Sequence, residues 1–269
     1  MRITFGQYIP GNTIVHRCDP RTKLLGTLVF MVLVLLIKSF TAYALTALFL
    51  ALVFAAARIS PKSVLRSIRA VLFVIGVTFV INLFFYQGSD LLWSWKFLHI
   101  YKDGIIFSAK MALRIILLVI GASVVTYTTT SVNLTDGLES LMSPLKIVHF
   151  PAHEAAMMMS IALRFIPIFA DETDRIMKAQ TARGSDFDSK KLTQKVKSYI
   201  PVLIPLFISA WRRADELANA MNARCYRGGK GRTKFRVLRF GKDDLIALFV
   251  FLLYTAGVIL LTYVFKTLP

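Results

Sequence analysis

Residues 64–86 read VLRSIRAVLFVIGVTFVINLFFY, and after Arg69 no charged side chain interrupts the stretch. A helix that crosses the hydrocarbon core of a bilayer needs about 20 predominantly apolar residues, so this segment predicts a membrane-spanning helix. Four further stretches have the same character: 24–37, extendable toward residue 40, then 42–57, 105–127 and 245–265. Lipid offers backbone N–H and C=O groups no partners, and no ten-residue alternating strands suggest a barrel. The expected fold is therefore an all-α membrane protein with about five or more transmembrane helices, supplemented by amphipathic cytoplasmic helices.

Composition agrees with that reading. The chain has 269 residues, 56% of them hydrophobic, and a mean hydropathy of +0.60, above the roughly 45–50% apolar content of soluble domains. Its net charge of +18 comes from 33 Lys and Arg against 15 Asp and Glu. Those cations fall outside the apolar runs instead of covering one globular surface, which points to a membrane and away from nucleic acid. Cys18 and Cys225 form no CxxC or Cys/His cluster, so neither a disulfide framework nor a zinc site is indicated. The polar stretch MRITFGQYIPGNTIVHRCDPRTKL is longer than the charged start of a signal peptide, and cleavage is not expected.

Orientation follows from the basic residues. Arg2, Arg17, Arg21 and Lys23 precede the first span, and Arg58, Lys62, Arg66 and Arg69 surround the second connection. Both regions are expected inside, with the N-terminus, because cytoplasmic loops carry the excess of Lys and Arg. The third connection carries Lys96 and Lys102 beside Trp93 and Trp95 and is expected outside. Three regions result: residues 1–127 with about four spans, 128–243 as a cytoplasmic or membrane-surface coupling region, and 244–269 with a last span.

The coupling region holds three candidate helices. LTDGLESLMSPL places Leu134, Leu138, Leu141 and Leu145 at helical spacing, with Asp136 and Glu139 suggesting a capped start. HEAAMMMSIALRFIPIFADETDRIMKAQTARG passes from an apolar half to a charged half, and Pro167 is expected to kink it near Leu163. PLFISAWRRADELANAMNARCYRGG carries an apolar stripe through Phe207, Ala210, Ala214, Leu217 and Met221. The last two helices end alike, in Ala182-Arg183-Gly184 and Ala223-Arg224-Cys225. A single Arg-Gly at a helix end is ordinarily only a cap, because the terminal carbonyls favour a cation there. Two such tips in one chain suit bidentate docking into acidic grooves of a soluble partner.

At these residues the chain resembles the transmembrane component, or T subunit, of energy-coupling factor transporters, the ABC-class importers of bacterial vitamins and metal ions. HRCDPRTKL, LTDGLESLMSPL, LRFIPIFADETDRIMKAQTARGSDFD and RRADELANAMNARCYRGGKGRT carry the resemblance in that order. The family pattern has glycine after the second arginine, where this chain has Cys225. The resemblance implies a scaffold in the bacterial plasma membrane that couples two cytoplasmic ATPases to one substrate-binding membrane subunit, for uptake of vitamins or other micronutrients. On that reading Ala182, Arg183, Gly184, Ala223, Arg224 and Cys225 dock the ATPases, while Leu138, Leu141, Met157, Met158 and Met159 are possible contacts with the substrate subunit. The chain would hold no cofactor of its own and perform no catalysis, ATP and magnesium binding to the partner ATPases. In keeping with this, the sequence has no GxxxxGK[ST] phosphate loop.

Other features give blander readings. Lys110 and Arg114 in the fourth span are expected to snorkel to the outer surface in preference to a contact inside the bundle. Asn82 is expected to hydrogen-bond a neighbouring helix. His149 and His153 lack a third metal ligand. Two rival functions are an intramembrane lipid-modifying enzyme, which would need carboxylate clusters the sequence lacks, and a conventional ABC permease lining the substrate path, which would need one coupling helix per subunit.

Overall fold

The computed structural model describes residues 8–86, 91–95, 98–144, 151–189, 191–228, 238 and 240–264. Among them the helices are α1 (Ile14–Arg17), α2 (Pro20–Leu36), α3 (Phe40–Ala57), α4 (Pro61–Phe85), α5 (Lys102–Thr128), α6 (Ser131–Met142), α7 (Ala152–Ala182), α8 (Leu192–Ala223) and α9 (Lys242–Ile259), which runs on into a π turn at Leu260–Val264. The all-α expectation holds apart from one antiparallel ribbon, β1 (Leu91–Trp95) with β2 (Leu98–Tyr101), in the third connection. His149, Leu145 and the basic residues between 229 and 237 lie outside the described residues.

Among the described residues, five helical segments are long and apolar enough to cross a membrane: α3, α4, α5, α7 and Lys242–Thr262, which is α9 with the start of its π turn. The set differs from the one expected. The stretch at 24–37 forms α2, which at 17 residues sits at the lower limit of a spanning length. Conversely α7, expected as a coupling helix, has 31 residues and an apolar half of spanning length.

The chain forms two compact units. One takes in the described residues of 6–137 and 238–269, the other those of 138–237. In the first unit α2, α3, α5 and α9 share a core of Phe30, Leu33, Val34, Ile37, Leu50, Leu117, Tyr254 and Val258. Helices in lipid gain little from hydrophobic transfer and associate through close packing and buried hydrogen bonds. Both are present here. The rings of Phe49 and Tyr254 stack at 4.2 Å, and buried Thr46 Oγ1 lies 3.2 Å from Tyr254 Oη. Gly121 admits Phe30, since a Cβ there would come within 2.2 Å of the ring. On the other side of α5, Tyr127 Oη donates to the Ser63 carbonyl at 2.9 Å and lies 2.7 Å from Ser67 Oγ, holding α4 on α5.

A polar knot closes one end of this unit. Asp19 caps α2, its side chain accepting from the Arg21 N–H at 2.9 Å, with Pro20 in the first helical position. Buried Asp244 accepts the Asp19 N–H at 2.7 Å and the Gly241 N–H at 2.8 Å, so one carboxylate joins the starts of α2 and α9. Lys23 Nζ donates to the carbonyls of His16 at 3.2 Å and Thr128 at 3.1 Å, and to Thr129 Oγ1 at 3.3 Å.

Two expectations, for Arg114 and Asn82, are corrected in this unit. Arg114 does not snorkel to the surface: Nη2 donates to the Ile37 carbonyl at 2.9 Å and Nε to Tyr43 Oη at 3.2 Å, both inside the bundle. Ile37 caps the C-terminus of α2, where unpaired carbonyls attract a cation, so Arg114 is held by the helix end. Lys110 lies over the Phe40 ring, 4.8 Å from its centre. Asn82 bonds its own helix, donating to the Thr78 carbonyl at 2.8 Å.

In the second unit α7 and α8 pair. Glu172 meets Arg213 at 3.4 Å, Gln180 Nε2 donates to the Pro201 carbonyl at 3.5 Å, and the rings of Phe187 and Tyr199 meet edge to face at 5.4 Å. As one partner number rises the other falls, so the helices run antiparallel. Neither helix breaks at its prolines. α7 is continuous through Pro167, and α8 begins at Leu192, well before the stretch expected, and passes Pro201 and Pro205. Pro205 has no N–H to give the carbonyl four residues back, which is that of Pro201. Gln180 supplies the missing donor from α7. The α6 start also differs from expectation: the helix begins at Ser131, and Thr130 Oγ1 accepts the Asn133 N–H at 3.3 Å, leaving Asp136 inside it.

Replacing Asp244 by Ala leaves the buried Asp19 N–H unpaired, a loss of about 1–3 kcal/mol, and removes the bond to the Gly241 N–H at the α9 cap. The expected result is a melting temperature several degrees lower for the detergent-solubilised protein; unchanged melting would show the knot to be idle.

Candidate functional site: two helix tips

The chemistry singled out in the sequence lies at the ends of α7 and α8, and the two ends are built alike. Arg183 closes α7 with φ −88° and ψ 5°; Arg224 closes α8 with φ −90° and ψ 14°. Next comes a left-handed residue, Gly184 at φ 90° and Cys225 at φ 56°. At the first tip the Gly184 N–H bonds the Thr181 carbonyl at 3.0 Å and the Ser185 N–H the Gln180 carbonyl at 3.0 Å. At the second, the Cys225 N–H bonds the Asn222 carbonyl at 2.9 Å and the Tyr226 N–H the Met221 carbonyl at 3.0 Å. These are two Schellman motifs with the same pair of reversed bonds. The departure from the glycine pattern therefore leaves the backbone of the second tip unaltered. A side chain in this conformation costs roughly 1 kcal/mol relative to glycine.

The tips are accessible. Ala182, Arg183, Gly184, Ala223, Arg224 and Cys225 are all exposed, and neither guanidinium bonds another described residue. A Cβ at Gly184 would meet nothing within 4 Å, so its glycine serves the backbone angle and not a close approach. Behind the first tip, Ser198 Oγ donates to the Asp186 carbonyl at 2.8 Å and fastens the loop to α8. A shallow polar depression of about 350 Å³ opens there between Ser185, Asp186, Lys197 and Pro201.

The antiparallel pairing sets the distance between the tips. Arg183 lies three turns beyond Glu172 and Arg224 three turns beyond Arg213, in opposite directions from the ion pair that joins them. At 1.5 Å per residue the guanidinium-bearing ends stand on the order of 30 Å apart. One groove cannot take both.

The residues suggested for contact with a second membrane subunit are split. Met158 and Met159 are 62% and 47% exposed, whereas Met157, Leu138 and Leu141 are half-buried. His153 Nδ1 lies 3.1 Å from Glu139 Oε1, so this histidine ties the first turn of α7 to α6. Away from the methionines, along the stretch of α8 that pairs with the C-terminal half of α7, a broad apolar surface includes Leu203, Phe207 and Trp211, each more than half exposed.

The architecture is that of a multi-pass helical membrane protein whose second unit presents two arginine-tipped helices. Residues 11–235 match the family described as cobalt transport protein, CbiQ. A relative from Ruminiclostridium cellulolyticum, called energy-coupling factor transporter transmembrane protein EcfT, is 50% identical across 98% of this chain and 98% of its own length. Proteins of the same name from Acidaminococcus fermentans, 50% identical over 94% of this chain and 96% of theirs, and from Bacillus subtilis, 41% identical over 90% and 91%, agree. The chain belongs to this family of transmembrane transport components.

The two cysteines provide a check on the geometry. Burial, with Asp244 adding to it, pushes the Cys18 thiol up to about 11, so at pH 8 it is protonated as well as enclosed. Cys225 is exposed. A maleimide at pH 8 is expected to label Cys225 alone, read as a single adduct by intact mass, with Cys18 reacting only after denaturation. Cys225→Gly is expected to raise the melting temperature slightly, corresponding to about 0.5–1 kcal/mol, because glycine adopts the left-handed cap without strain.

Proposed function

We propose that the chain is the transmembrane scaffold and energy-coupling subunit of an energy-coupling factor importer. It seats on two cytoplasmic ATPases through Arg183 and Arg224 and carries a separate substrate-binding membrane subunit for uptake of vitamins or other micronutrients. The N-terminus and the α3–α4 connection face the cytoplasm, the β1–β2 ribbon faces outward, and the region 128–243 meets the partners between the membrane regions 1–127 and 244–269. ATP and magnesium bind the ATPases, and this chain transmits force without catalysis.

The observation that carries the reading is the pair of identically capped, exposed arginine ends on opposite ends of one antiparallel helix pair. A guanidinium at such a tip offers a planar fork to a carboxylate, while its Schellman cap holds the backbone in one conformation. Tips on the order of 30 Å apart suit two grooves, one on each of two partner proteins. Their rigid linkage through Arg213–Glu172 and Gln180–Pro201 would let closure of a partner pair move α7 and α8 as bodies. Leu138, Leu141 and Met157–Met159, with the apolar face of α8, are the surface on which the substrate subunit would rest, methionine suiting a partner that moves.

Arg183→Glu and Arg224→Glu reverse the charge at exposed positions and leave the caps intact. Each is expected to weaken co-purification of the ATPases by roughly tenfold or more, about 1.4 kcal/mol, and to reduce coupled uptake, with membrane insertion unchanged. Wild-type ATPase binding and uptake in the double reversal would overturn the assignment.

A further inference from the structure

The first unit contains a groove that its own packing leaves open. α3 packs on α5 and α9, and α4 packs on α5, so the two consecutive helices diverge from their short connection. Between them lies a cavity of about 450 Å³, lined on α3 by Ala47, Ala51 and Phe54, on α4 by Val64 and Leu65, and floored by Leu117 of α5. Ala47, Ala51 and Ala55 recur every fourth residue and are exposed, so the α3 wall is shallow. From Ala47 to Ile59 the groove follows about 18 Å of helix, close to the depth of one leaflet's hydrocarbon, about 15 Å.

The mouth of the groove is cationic. Arg58 and Lys62 flank the Ile59 and Pro61 end of the groove; both are exposed, neither side chain bonds a described residue, and the sequence holds no Asp or Glu between Asp19 and Asp90. α4 begins at the same place, and its N-cap, Ser60, bonds the Ser63 hydroxyl at 3.1 Å and caps no backbone N–H of the first turn. The start of α4 has Pro61 without an N–H and Ser63 N–H bonded to the Ser60 carbonyl at 3.0 Å, so it is the helix dipole that adds to the attraction for an anion.

Arg58 supplies an independent observation. It sits in the left-handed region at φ 53°, at the helix-terminating position of α3, with the Arg58 N–H bonded to the Ala55 carbonyl at 3.1 Å and the Ile59 N–H to the Phe54 carbonyl at 3.2 Å. Buried Ile59 and Phe54 complete the motif. Glycine would occupy this position without strain. The chain instead places a long cation there, at the edge of the groove, with nothing in the described chain to receive it.

We propose that this groove binds an anionic phospholipid, one acyl chain lying between α3 and α4 and the phosphate held by Arg58 and Lys62 at the start of α4. A partner helix would also fit against the alanine wall, but the two unanswered cations, Arg58 and Lys62, and the start of α4 call for an anion at the mouth.

Native mass spectrometry of the full-length chain released from micelles containing equal phosphatidylglycerol and phosphatidylcholine of matched acyl chains tests this. One retained phosphatidylglycerol is expected, in preference to phosphatidylcholine, and glycerol phosphate alone is not expected to be retained. Arg58→Gly with Lys62→Gln should reduce the adduct by about fivefold per cation, roughly twenty-five-fold together. Arg58→Gly relieves the left-handed strain, so a melting temperature at or above wild type separates lost lipid from lost fold. Ala51→Phe, which keeps every charge and fills the groove, should also abolish the adduct. Equal retention of both lipids, an unchanged adduct in the double variant, or binding of glycerol phosphate as tight as that of the lipid would overturn the proposal. So would loss of the lipid on assembly with a second membrane subunit whose association Ala51→Phe blocks, which would assign the groove to a helix of that partner.

Discussion

A helix leaves its last carbonyls without intrahelical partners, and where no water reaches them they must be answered by the protein itself. Much of this structure is arranged around that requirement. Arg114 reaches across the bundle to the Ile37 carbonyl at the end of α2, and Lys23 serves the end of α5 through the Thr128 carbonyl. Gln180 repairs the gap that Pro205 opens in α8. Three other ends, after α3, α7 and α8, turn back on themselves through a left-handed residue, Arg58, Gly184 or Cys225.

The three left-handed ends place cations in different ways. At Arg58 the left-handed residue is itself the cation, set over the start of the next helix. At the tips of α7 and α8 the arginine precedes the turn and the left-handed residue is small, so the backbone falls away and the guanidinium projects. A reversed cap thus converts a structural necessity, satisfying two carbonyls, into a defined platform for a charge. Because the caps at Arg183 and Arg224 have nearly the same angles, the two platforms are equivalent even though one is followed by glycine and the other by cysteine.

The spans at 42–57, 64–86, 105–127 and 245–265 were legible because lipid makes length and apolarity nearly sufficient to specify a helix. The twin Ala-Arg tips were legible for a similar reason, since helix ends carry local signals. The partners of polar side chains inside the spans were misread in both directions. Asn82 found its acceptor one turn away in its own helix, whereas Arg114 found its acceptor on α2, 77 residues earlier. The last candidate helix was read as starting at Pro205, whereas α8 starts at Leu192 and passes Pro201 and Pro205, with Gln180 of α7 answering the Pro201 carbonyl. Asp244 gave no sign of its role, because the N–H it accepts belongs to Asp19, 225 positions away.

Alone, the amino-acid order determined that this is a helical membrane protein with a charged region bearing two arginine-ended helices, because hydrophobic run length and helix-end chemistry act over a few turns. Tertiary structure decided the antiparallel pairing that sends the two tips in opposite directions, the polar knot joining α2 to α9, and the open groove between α3 and α4. Each depends on which helix faces which, and that is settled by packing among segments whose separation along the chain carries no local trace.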